Sequence, residues 1–163
     1  MRNLVLGVCS LVLCVTMASA KDKISSQWKC DGKPSDEKSL AIPGQEGRAY
    51  HISQGKCTAE KGAMGDAKEQ DATWTQFDDV SGNQISDHGV FVVDLSTGDK
   101  VFYHYQGTQT LKDGKVDTGA NTWTLVGGTG KFSKVTGKGS CKGSGTPDGS
   151  SSWTCTGDYS LSK

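Results

Sequence analysis

The chain has 163 residues, with 18 Lys and Arg balanced by 18 Asp and Glu. That length buries one core rather than two, and a formal charge of zero lacks the basic surplus of a nucleic-acid or anionic-membrane binder. Glycine, at 22 residues, is about twice its usual share, and it argues against long helices, where each Gly costs about 1 kcal/mol.

Residues 1–20 stand apart from the rest. Arg2 is a minimal basic start, Leu4 to Val15 is an apolar run broken only by Gly7 and Ser10, and Ala18-Ser19-Ala20 supplies the small residues read by a signal peptidase. This is the pattern of a cleavable export signal, and the run is shorter than the roughly 20 residues a membrane span needs. Cys9 and Cys14 follow Val8 and Leu13, which are too bulky for a lipoprotein signal. The expected mature domain is 21–163, secreted or periplasmic, with 17 basic and 18 acidic residues.

Four cysteines remain in that domain: Cys30, Cys57, Cys141 and Cys155. An even count in an exported chain reads as disulfides. Thr146-Pro147-Asp148-Gly149 is strong turn chemistry, and Asp148 lies seven residues from both Cys141 and Cys155. A hairpin centred there brings the two cysteines face to face, within disulfide reach. Cys30 and Cys57 then pair by elimination. No close Cys or His spacing suggests zinc.

The predicted strands follow in order. Ile24 to Cys30 is the first. Asp31 to Gly47, with Pro34 and Pro43, is a long connection. Arg48 to Thr58 is a strand, Glu60 to Asp71 an exposed loop, Ala72 to Phe77 a short strand, and Ser81-Gly82-Asn83 a turn. Val90 to Gln106 is the clearest hairpin, turning at Thr97-Gly98. A second turn at Asp113-Gly114 leads to a strand over Thr122 to Val126. Phe132 to Gly145 forms one or two strands, and Ser152 to Leu161 closes the chain. About eight short strands with turn signals between them predict an all-β sandwich or barrel.

The hairpin raises a second expectation. Phe91, Val93 and Leu95 point one way and Val90 and Val92 the other, and on the return strand Phe102 and His104 oppose Val101, Tyr103 and Tyr105. Only one face lines an interior. The other needs cover from the Asp31–Gly47 connection or from a second subunit, and self-association as a trimer is the expectation here.

The stretch Val126-Gly127-Gly128-Thr129-Gly130-Lys131-Phe132, followed by Val135 and Gly137, resembles the Gly-rich hairpin of the dirigent and allene oxide cyclase barrel superfamily. Gly98-Asp99-Lys100-Val101-Phe102 is similar to bacterial secreted members of that group. The resemblance covers Val90 to Gly139. It implies a small antiparallel eight-stranded barrel, often trimeric, in a family of cyclases and of proteins that guide the stereochemistry of radical coupling. It transfers no catalytic residue, because the family's pocket carboxylates lie outside the motif. Gly127, Gly128 and Gly130 read as the bend of a barrel wall, with Phe132 refilling the space they leave. A phosphate cradle would need a following helix N-terminus, and a strand is expected instead.

Candidate chemistry is sparse. His51, His88 and His104 form no metal-ligand pattern. Asp78-Asp79 reads as a solvated turn. No nucleophile elbow is present. Trp28, Trp74, Trp123, Trp153, Tyr103 and Tyr105 fit either a ligand cage or a barrel filling. The leading reading is a non-catalytic barrel that binds a small apolar or aromatic ligand, or a protein partner. Trp74, Tyr103, Tyr105, His104 and Trp123 are its candidate ligand residues, with no metal or cofactor. The alternatives are a cyclase or isomerase acting in the lumen, and a structural module whose lumen is filled.

Overall fold

A computed structural model describes residues 21–161; the signal-peptide reading on residues 1–20, with Cys9 and Cys14, lies outside them. Ten strands are present: β1 (Asp22–Cys30), β2 (Asp36–Ala41), β3 (Arg48–Lys61), β4 (Ala63–Met64), β5 (Ala67–Ser81), β6 (Gln84–Leu95), β7 (Lys100–Lys112), β8 (Lys115–Gly128), β9 (Val135–Gly145) and β10 (Ser151–Leu161). All pairings are antiparallel, and β3 pairs with both β1 and β5. That double pairing closes β1, β3 and β5 to β10 into an eight-stranded barrel. Closure removes the exposed edges that an open sheet of this length would present.

The strands run well past the apolar stretches that announce them. β7 and β8 continue through polar, Thr- and Gly-rich residues to a tight turn where Asp113 and Gly114 both take positive φ, 53° and 72°. Two expected loops are partly strand. Asp36–Ala41, within the long connection, pairs with Ala49–Gln54 of β3. Glu60 to Asp71 is not an exposed loop: β3 runs to Lys61, β5 begins at Ala67, and Met64, Ala67 and Glu69 are buried. The small β4–β5 hairpin tucks under the barrel and helps to plug one end.

That closed end is the apolar core. Met64, Val93, Leu95, Val101, Phe132 and Val135 are all essentially inaccessible. The Gly-rich run stands beside it. A register shift between Phe102 and Tyr103 leaves Val126 unpaired in β8, a β-bulge next to Gly127. A single 3-10 turn over Gly130–Phe132, rather than a strand start, then drops Phe132 into the plug. At Gly128 a Cβ would stand 2.4 Å from the Lys100 carbonyl oxygen, so no larger residue fits without moving the wall.

Both disulfides join directly opposed residues on neighbouring strands, Cys141 with Cys155 and Cys30 with Cys57. The β9–β10 turn is held by Asp148, which accepts from Thr146, Ser150 and the Lys29 ammonium. On the outer wall Val90 faces His104 and Val92 faces Phe102. Val90, Val92 and Phe102 are half-buried and His104 is exposed. The connection does not cover this face: β2 lies along β3, with β5 between β3 and β6. No helix among the described residues is long and apolar enough to cross a membrane.

Candidate functional site

Above the plug the barrel is hollow. A cavity of about 590 Å³ opens at the end opposite Phe132, with Lys33, Pro34, Ile85, Leu111 and Lys115 at its rim. Its walls carry all four tryptophans with Phe91, Tyr103 and Tyr105. Trp28 and Phe91 meet edge to face with centroids 5.0 Å apart, as do Tyr103 and Trp123 at 5.3 Å, the preferred arrangement for aromatic pairs.

Glycine makes this packing feasible. Inward Cβ atoms at Gly139 and Gly157 would come within 2.5 Å of the Trp123 indole, and one at Gly55 within 2.3 Å of Trp74. The indoles lie flat against strand backbone because those positions have no side chain. Part of the glycine excess thus sits inside strands, as a floor for tryptophans, and not in turns.

Of the expected ligand residues, Trp74, Tyr103, Tyr105 and Trp123 are brought together on the cavity wall. His104 is not among them. Alternation puts it on the outside between Tyr103 and Tyr105, where it is exposed.

The polar lining is a larger departure. Asp78 is no solvated turn residue: it lies inside β5, 4 % exposed, while Asp79 faces outward and takes two hydrogen bonds from Arg48. Asp78 stands directly opposite Asp87 of β6, which is 5 % exposed. Gln76 Nε2 donates to Asp78 Oδ1 at 2.8 Å, and Ser53 donates to Oδ2 at 3.3 Å. Tyr105 donates its hydroxyl to Gln76 Oε1 at 2.6 Å, which holds the amide in place. Gln109 Nε2 donates to Asp87 Oδ2 at 2.7 Å. At the mouth, His51 Nδ1 lies 2.7 Å from Glu37. Burial raises both aspartate pKa values above the ordinary range, and at Asp78 the facing charge of Asp87 adds to it. Deeper in, burial raises the Glu69 pKa to about 7.

Among the described residues six buried side-chain polar atoms lack a hydrogen-bond partner, and five belong to cavity-lining residues: Ser26 Oγ, Glu69 Oε2, Asp87 Oδ1, Asn121 Oδ1 and Trp123 Nε1. Buried polar atoms are rarely left unpaired. Three of these residues fall on one registered row around the wall, which runs Asp78, Asp87, Gly107, Asn121, Cys141, Cys155, Ser26. Sequence reasoning missed Asp87, Glu69, Asn121 and Ser26 as site residues. For Asp87 the signal was there: continuing the alternation of Phe91, Val93 and Leu95 backwards brings Asp87 inward.

No family model matches the chain, and no curated protein matches it. Among solved structures, two pterocarpan synthase dirigent proteins align with it. One aligns at 12% identity over 96% of this chain and 98% of its own, with a TM-score of 0.48. The other aligns at 16% identity over 88% of this chain and 97% of its own, also at 0.48. The likeness assigns this chain no activity.

Proposed function

We propose that this barrel is a non-catalytic binder of one small ring-containing molecule, held in the lumen. The observation that carries the reading is the pairing of a hollow aromatic cavity of about 590 Å³ with five unpartnered polar atoms on its lining residues. The volume is in the ordinary range for small-molecule sites, which combine apolar walls with a few placed polar groups. A lumen meant to be filled by its own side chains would have no reason to orphan them. Trp74, Tyr103, Tyr105 and Trp123 form the apolar walls, and Asp78, Asp87 and Asn121 supply the orienting groups. The protein works outside the cytosol in this reading, supported by its two disulfides.

The test is a titration of intrinsic tryptophan fluorescence with a panel of one- and two-ring compounds, neutral and charged. Saturable 1:1 quenching that weakens in Trp74→Ala is the expected result. A panel in which nothing saturates defeats the reading and leaves a structural module. A second reading, an isomerase or cyclase in the same lumen, is favoured by the opposed Asp78 and Asp87, since two facing carboxyls with raised pKa values suit proton transfer. Recovery of the bound compound unchanged after prolonged incubation supports binding alone; a rearranged product supports the enzyme.

A further inference from the structure

We propose that the molecule this lumen selects is an organic cation, a primary amine on a flat ring body, with its ammonium seated beside Asp78 and Asp87. The inference rests on the lumen-binding reading and adds the sign of the ligand's charge.

The first argument is charge balance. Asp78 and Asp87 both line the cavity, and neither forms an ion pair among the described residues. The basic groups on the lining are Lys33 and Lys115, exposed at the rim, and His51, which is engaged with Glu37. Buried charges are normally paired, so the missing partner is a cation from outside the chain. The second argument is the opposed pair itself. Like charges directly across two strands destabilise each other, and a positive charge between them turns repulsion into attraction.

The third argument is hydrogen-bond polarity. Asp87 Oδ1 and Asn121 Oδ1 both lack a donor, and in the registered row they are separated only by Gly107, which has no side chain. Two acceptors flanking a bare stretch of wall call for a donor-rich group. An ammonium has three donors and no acceptor. Gly89, the inward position between Asp87 and Phe91, likewise adds no side chain, so the ring body extends past it to the aromatic walls. Those walls attract a cation by their π faces as well as by area.

The experiment compares 2-naphthylmethylamine with 2-naphthylmethanol, which share a ring body and differ in charge, by tryptophan fluorescence and calorimetry. At about pH 8 the amine should bind at least about tenfold tighter than the alcohol. The preference should shrink as pH falls and the raised carboxyls take up protons, losing their negative charge. Other titratable groups facing the pair are His51 from β3, Glu37 beyond it and Tyr105 from β7; His88, next to Asp87 on β6, points to the outer wall. Asp87→Asn should collapse the amine-to-alcohol ratio towards one. Asp78→Asn is the second variant, with near-ultraviolet circular dichroism to show that each is folded. Equal binding of both probes overturns the cation inference and leaves the lumen reading standing. Binding of neither overturns both.

Discussion

Glu69 offers the sharpest test of how the closed end of the barrel is built. It is 7 % exposed, near Tyr103 and Ser26, and burial raises its pKa to about 7 against the lowering pull of the Ser26 hydroxyl. An unfolded glutamate titrates near 4.5. Between those two values the folded protein holds a proton that the unfolded chain has released, so stability falls as pH rises through this window and levels off above about 7. A difference of about 2.5 pKa units at 1.36 kcal/mol each corresponds to roughly 3 kcal/mol lost between about pH 4.5 and 8. Glu69→Gln removes the ionisation and keeps the shape. It should be near neutral at about pH 4 and more stable than wild type at about pH 8, by up to about 3 kcal/mol or roughly 10 °C in Tm for a domain of this size. Guanidinium and thermal melts followed by tryptophan fluorescence, run on both proteins from pH 4 to about 8, read the difference directly. Subtracting the two profiles cancels the contributions of Asp78 and Asp87, whose raised pKa values slope the same way. A variant destabilised by the same amount at every pH would refute the reasoning, because it would mean that Glu69 has the same pKa in the folded and the unfolded chain.

Three further outcomes are expected. Peptide mapping without reductant should recover Cys30–Cys57 and Cys141–Cys155, and losing the latter through a double Cys→Ala change should cost about 3 kcal/mol for a loop of this length. Gly128→Val, whose branched side chain would begin 2.4 Å from the Lys100 carbonyl and 3.0 Å from Phe132, should lower stability by about 1–3 kcal/mol in a melt; an unchanged Tm would contradict the role given to this glycine in the wall. We also propose self-association through the outer face of Val90, Val92 and Phe102, which β2 leaves uncovered. Light scattering at micromolar concentration should give a mass above the monomer, and Val92→Lys should return it to the monomer value. A monomeric wild type removes this proposal.

The sequence by itself determined the fold class, the disulfide partners and the turns. These are local matters: Pro-Asp-Gly and Asp-Gly dipeptides preset the backbone, and the spacing around Asp148 brings Cys141 opposite Cys155 whatever else the chain does. It also offered Trp74, Tyr103, Tyr105 and Trp123 as candidate ligand residues, alongside His104, because they are the aromatic and polar-aromatic groups of its strands. The tertiary structure decided the rest. Strand ends were misplaced because their flanks are held by the hydrogen-bond ladder, to which apolar patterning is blind; hence Asp78 read as a turn and Glu69 as a loop residue. His104 shares a segment with Tyr103 and Tyr105, but an odd offset in a strand turns it outward. The opposition of Asp78 and Asp87 depends on the β5–β6 register, and the row that carries Asp87, Asn121 and Ser26 depends on the registers of the successive pairings from β6 round to β1, which β3 then closes around one lumen. A site assembled from all eight strands of a closed barrel has no contiguous trace in the chain that builds it.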